Sequence, residues 1–226
     1  MRGVDELVFC DVAATPAGRR PDFQLIDDLA DECFMPFTVG GGVRTVEDFR
    51  DLLAVGADKV LVGTATLDDP GLIAGATDRF GSQCVVVSIE FRRRVDGTAE
   101  VFAECGRRAT GRDPVAWACE VERAGAGEIL LTAADRDGTM DGYDLEMIRN
   151  VTRAVRIPVV ASGGAGTYSD LVAAVVEGGA SAVAAASMFH FTEQTPHEAK
   201  LAMRAAGLPV RLSTPVSGRV SERMRG

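Results

Sequence analysis

Short apolar runs rich in valine, isoleucine and leucine alternate along the chain with longer stretches in which apolar positions recur every three to four residues. The short runs predict strands near 6–11, 36–40, 58–62, 84–90, 127–132, 158–161 and 181–185. The longer stretches predict helices near 22–33, 45–55, 68–79, 114–124, 144–154, 167–177 and 196–206, with Thr45 and Thr167 as cap candidates. This alternation marks βαβ units on a parallel sheet. Runs such as Val85-Val86-Val87 and Ile129-Leu130-Leu131 offer no polar side chain to solvent, as expected where helices cover one face and a barrel interior takes the other. The pattern gives seven recognisable βα units and fits a closed barrel better than an open sheet.

The pattern is also written twice. Gly3, Glu6 and Pro36 recur at an offset of 122 as Gly125, Glu128 and Pro158, and Thr38 to Gly42 overlies Val160 to Gly164. Thr45 to Phe49 overlies Thr167 to Leu171, and one residue of slippage later Gly63-Thr64 matches Ala186-Ser187. Such self-similarity means two copies of one supersecondary block, here the halves of a (β/α)8 barrel. Subtracting the offset from the 84–90 strand leads to positions before residue 1. The first βα unit is therefore expected to be missing, exposing the edges of 6–11 and 181–185, which parallel barrels avoid.

One insertion interrupts the βα economy. Residues 91–112 read as a hairpin turning at Asp96-Gly97 with arginines on both arms, a candidate mobile lid over an anionic ligand. Residues 1–212 are expected to form one barrel domain. Residues 213–226, rich in Ser, Arg and Gly without apolar period, are expected to be disordered.

Composition narrows the function. With 226 residues, 46% apolar content and a formal charge of −9, the chain suits one well-buried α/β domain and lacks the basic surface a nucleic-acid binder needs. Five cysteines, an odd number without C-x-x-C spacing, suggest neither a disulfide framework nor a zinc cluster and point to a reduced cytoplasm. No apolar run approaches the roughly 20 residues that span a bilayer, and no signal peptide opens the sequence. No metal or cofactor is expected.

Barrel ligands lie at the C-terminal ends of the strands. There Gly40, Gly41 and Gly42, with Gly63 and Thr64, are candidates for one phosphate cradle of backbone N–H groups and a hydroxyl; Ser162, Gly163, Gly164 and Ser187 are candidates for a second. Glycines after strands also serve simply to permit tight turns. Asp11, Glu90, Asp135 and Asp137 stand on the same rim as acid/base candidates, Glu90 foremost. Glu90 could equally be a solvated strand end pairing with Arg92 or Arg93, and Asp135 and Asp137 turn formers. On the opposite rim Glu6, Asp58, Lys59 and Glu128 read as a surface ion-pair cluster, although the repeat mates Glu6 and Glu128 would point toward the axis, where an isolated charge is costly. His190 reads as a helix-start residue and His197 as surface-exposed, so no nucleophile is assigned.

These stretches resemble the cyclase subunit of imidazole glycerol phosphate synthase: Asp5-Glu6-Leu7-Val8-Phe9, Phe37-Thr38-Val39-Gly40-Gly41-Gly42-Val43, Gly56-Ala57-Asp58-Lys59-Val60, Gly125 to Thr132, Asp135-Arg136-Asp137-Gly138-Thr139 and Ala161 to Gly166. The resemblance implies a TIM barrel that binds a bis-phosphorylated ribonucleotide through two phosphate sites, to which it adds Gly138. It also implies a glutaminase partner on the N-terminal rim, forming a heterodimer whose ammonia crosses the barrel. Glu6, Lys59 and Glu128 then match an ammonia gate, Asp58 an interface residue, and Glu90 and Asp137 catalytic carboxylates. The family has Asp where this chain has Glu90, and a second catalytic Asp on the first strand. Other stretches, such as Gly138 to Asp144, are similar to paralogues that pass ammonia to a sugar in polysaccharide biosynthesis. A further alternative is a silent barrel that only activates a glutaminase.

Overall fold

The computed structural model describes residues 3–212; the segment expected to be disordered, 213–226, lies outside them. In chain order the strands are β1 (Leu7–Cys10), β2 (Phe37–Gly40), β3 (Lys59–Val62), β4 (Val85–Arg93), β5 (Ala99–Ala103), β6 (Arg108–Ala109), β7 (Glu128–Ala133), β8 (Val159–Ser162) and β9 (Ala182–Val183). The helices are α1 (Phe23–Asp31), α2 (Val46–Ala54), α3 (Thr64–Asp68), α4 (Gly71–Phe80), α5 (Pro114–Arg123), α6 (Leu145–Ala154), α7 (Tyr168–Val176), α8 (Ser187–Phe191) and α9 (Pro196–Ala205). Strands pair in parallel in the order β1-β2-β3-β4-β7-β8-β9, so every expected strand lies beside its neighbour in sequence and a helix covers each crossover.

The repeat is visible in local geometry. Thr45 and Thr167 cap α2 and α7 with the same backbone (φ −133° in both), and each closes a capping box with an aspartate at the third helical residue, Asp48 or Asp170. Gly41 and Gly163 take φ +99° and +86°, and a Cβ there would meet the Asp11 carbonyl at 2.4 Å or the Ala133 carbonyl at 2.6 Å. Only glycine allows both the left-handed backbone and that approach.

Burial alternates along the second half of β4 and along β7 and β8. In β4 and β7 the residues facing the helices (Val85, Val87, Ile89, Phe91; Ile129, Leu131, Ala133) are at most 2% exposed. They pack with Phe37, Phe49, Ile73 and Trp117 into one core. The alternate positions Ser88, Glu90, Glu128, Leu130 and Thr132 are only half-buried. A strand-long apolar run therefore holds on the outer face alone; polar side chains occupy much of the inner one.

Among the described residues β1 and β9 have one neighbour each in the sheet, and Leu7 and Val8 on β1 are each 40% exposed. A contact outside the sheet joins its two ends: Lys200 of α9 donates to Asp5, just before β1, at 2.7 Å. Two short helices, α3 and α8, are absent from the predicted helical ranges because a single turn is too short to display a 3.6-residue period. The hairpin forms as expected, with β5 antiparallel to β4 and Gly97 at φ +85° in the turn. Several of the arm arginines are paired with carboxylates. Arg93 binds Asp144 at 2.7 and 2.9 Å and Glu146 at 3.0 Å, Arg94 binds Glu100, and Arg108 binds Glu104 and Asp68, each at 2.9 Å. Carboxylates along the sequence meet this charge once the fold juxtaposes them.

Candidate functional site

The inward face of β4 carries Ser88 and then Glu90 to the C-terminal rim, where they meet the loops after β1, β2 and β3. Together these enclose a cavity of about 310 Å³ lined by Cys10, Asp11, Thr15, Gly41, Gly42, Arg44, Gly63, Thr64, Ser88, Glu90 and Cys105, among others. The first expected cradle and the foremost acid/base candidate thus share one space. A larger hollow, about 380 Å³ between α7 and α9, lies outside the barrel and is lined by Val172, Ala173, Val176 and Ala202 with few converging polar groups. The smaller cavity gathers the candidate acid/base and phosphate-binding residues of the first set.

Burial holds the Glu90 carboxyl above the usual carboxylate range, and the negative charge of Asp137 pushes the same way against the Gly106 N–H and Arg92. Such a group is poised to hold or release a proton closer to neutrality than a free glutamate. Among the described residues the pairing of Glu90 with Arg92 or Arg93 that the sequence left open does not form as a salt bridge: Arg93 is committed to Asp144, and Arg92 stacks 5.1 Å from the Phe102 ring. Asp11 serves its own turn, accepting from the Ala13 and Ala14 N–H groups at 2.9 and 3.1 Å and from Arg19 at 3.2 Å. Cys10 opens onto the cavity, but crowding by the strands around it and the nearby Cys105 and Glu90 push its thiol up to about 12. The thiolate form is disfavoured there.

Two contacts in the cradle have no sequence signal. The Gly42 N–H donates to the Thr15 hydroxyl at 3.1 Å, and the Thr64 hydroxyl accepts from the Glu104 N–H of the hairpin at 2.8 Å. Both join residues at least 27 positions apart, so neither Thr15 nor Glu104 is marked by local spacing. Thr64 keeps its own hydroxyl proton available for a ligand oxygen.

The second set is arranged separately. Ser162 ends β8 beside Thr132, Ser187 opens α8, and Gly164 is buried, its carbonyl accepting from the Gly142 N–H at 2.7 Å. Gly138 (φ +83°) and Asp137 lie in the exposed turn after β7, whose Asp137 N–H donates to the Ala133 carbonyl at 2.9 Å. Asp137 reaches Glu90 electrostatically, while Ser162, Gly164, Ser187 and Gly138 do not line the first cavity.

At the opposite rim the inward positions of β3 and β7 place Lys59 and Glu128 in contact. Lys59 Nζ donates to Glu128 at 2.9 Å and to Glu6 at 3.0 Å, closing a three-residue bridge across the barrel floor. Burial alone would lower the Lys59 pKa, but the two carboxylates outweigh it and the ammonium is held above its ordinary value. Asp58 stands apart from the bridge and accepts from the Phe37 N–H at 2.8 Å, clamping β2 to β3. His190 and His197 are both exposed. His190 lies in the last turn of α8, which corrects its reading as a helix-start residue.

Residues 1–195 match the family model described as "Histidine biosynthesis protein". Relatives from two Caulobacter vibrioides strains (NA1000 / CB15N and ATCC 19089 / CIP 103742 / CB 15), each named imidazole glycerol phosphate synthase subunit HisF, are 54% identical over 211 residues, 93% of this chain and 81% of each relative. The chain belongs to the HisF family. Membership accords with the parallel strands and the duplicated glycine turns. Among the described residues no helix is long and apolar enough to cross a membrane, and all five cysteines are free.

Proposed function

We propose that this chain is the cyclase-type subunit of an imidazole glycerol phosphate synthase, using ammonia from a partner glutaminase on a bis-phosphorylated ribonucleotide to form imidazole glycerol phosphate. The observation that carries this reading is the placement of Glu90 in one cavity with Gly42, Gly63 and Thr64, in a chain 54% identical to subunits of that name. In this reading the two cradles hold the terminal phosphates. Glu90 accepts and returns protons at the reacting carbon and nitrogen centres between them, and Asp137 keeps its carboxyl basic. Ammonia enters at the floor, where the Lys59 bridge to Glu6 and Glu128 must part, and rises along the half-buried inner positions of the strands. The glutaminase docks on that floor, with Asp58 at the contact.

Purified chain supplied with ammonium salt and the ribonucleotide is expected to consume the ribonucleotide and release imidazole glycerol phosphate. E90Q is expected to lose about 10²- to 10⁴-fold of that rate, the usual worth of a positioned acid/base. If the chain stimulates a glutaminase but never turns over the ribonucleotide, the silent-barrel reading replaces this one. Amination of a sugar instead would favour the polysaccharide paralogue.

A further inference from the structure

The first cradle is built from neutral donors, yet its cavity has an acidic wall formed by Asp11, Asp68, Asp69 and Glu90. A phosphate dianion seated there is favoured by a cation in the same space that offsets the repulsion of these carboxylates. Arg44 stands in that position. It follows the Gly40–Gly42 turn, lines the cavity and is exposed. Its backbone N–H donates to Asp48 at 2.9 Å, but among the described residues its guanidinium has no hydrogen-bond or ion-pair partner. Neighbouring arginines are committed, Arg19 to Asp11 and Arg108 to Asp68.

The second cradle has no arginine at the matching position. At the offset of 122 the mate of Arg44 is Gly166. Arg136, which packs against Gly164, donates to the Gly142 and Tyr143 carbonyls at 3.2 and 3.3 Å. The duplicated turns are therefore alike in backbone and unlike in charge.

We propose that Arg44 is a further ligand-binding residue that contacts a phosphate of the ligand and makes the first cradle the stronger of the two anion sites. A lone phosphate then occupies the Gly42–Thr64 end first. This rests on the cradle reading above and fixes which half of the barrel holds a phosphate more tightly. Its guanidinium fork suits a phosphate edge, which lysine, a point charge, reproduces only in part.

The test is calorimetric titration of inorganic phosphate into the full chain, with no turnover required. R44A is expected to weaken phosphate binding roughly tenfold, the worth of a charge-assisted contact, and R44K to fall between R44A and the parent. The double variant S162A/S187A is expected to change it less than twofold. Unfolding followed by Trp117 fluorescence should place R44A with the parent, since the side chain is exposed. With the ribonucleotide, R44A should raise KM more than it lowers kcat. R44A binding phosphate as tightly as the parent, or S162A/S187A losing as much as R44A, would overturn the proposal. Phosphate binding that depends on Arg44 without ribonucleotide turnover would sink the cyclase reading and leave this inference standing; turnover with an unchanged KM in R44A would do the reverse.

Discussion

Glu90 is held two residues from Ser88 on the inner face of β4, and its environment sets the sign of two effects. Burial and Asp137 raise its folded-state pKa, so the folded chain binds that proton more tightly than the unfolded chain does. Stability from this group is therefore lost as pH rises from the ordinary glutamate value through the folded one. E90Q is expected to raise the thermal midpoint at neutral pH while removing activity, and a variant that is both less active and less stable would contradict the assignment. The acid limb of kcat/KM should lie above the ordinary glutamate range for the same reason. The family has Asp here, and about 1 Å of misplacement costs on the order of 100-fold in rate. E90D should accordingly turn over the ribonucleotide faster than the parent, as read by initial rates with ammonium. The residue type and its rim were legible in the sequence from a charge ending an apolar run. Its freedom from Arg93 was not, because Asp144 and Glu146, more than 50 positions away in sequence, claim that arginine.

Among the elements, α2 and α7 are opened by the same device. Each capping box satisfies two orphan donors, and loss of the hydroxyl costs about 1 kcal/mol. T45A and T167A are each expected to lower the midpoint by about 2–4 °C in a chain of this size, and the double variant by the sum, since the two helices share no partner. Burial of Trp117, the chain's single tryptophan, beneath the Arg112 guanidinium at 4.6 Å makes its fluorescence a direct reporter. The α2 box has an added anchor: Asp48 is 2% exposed and also accepts from Arg20 at 2.7 Å. Burial alone would raise the Asp48 pKa, but the backbone N–H donors and Arg20 outweigh it and the carboxyl sits below its ordinary range. Its stabilisation is present above the unfolded aspartate pKa and lost as pH falls through the folded one. Acid unfolding should thus come at higher pH in R20A than in the parent, measured by Trp117 fluorescence. Threonine followed three residues later by aspartate before an apolar period made both helix starts readable, whereas the one-turn helices α3 and α8 left no such trace.

For the whole molecule, the Lys59 bridge links three segments across the barrel floor and lies at the opposite rim from the cavity. K59A leaves Glu6 and Glu128 facing each other without a counter-ion. It is expected to reduce glutamine-dependent synthesis with a partner glutaminase more than ammonium-dependent synthesis, which bypasses the floor. Equal losses in the two assays would remove the gate role. What the sequence by itself determined is everything written in local period and in the repeat: strand and helix order, the parallel sheet, the paired glycine turns, and the rim on which each charge stands. Those follow from rules that act over a few residues, such as alternation, capping and the left-handed backbone glycine permits. Which charges meet was decided only in three dimensions, where Arg93 finds Asp144, Thr64 finds Glu104 and Lys200 finds Asp5 across 195 positions. A side-chain contact between distant segments has no local period, so which of these charges are paired and which stay free at a cradle emerges only when the sheet brings their walls together.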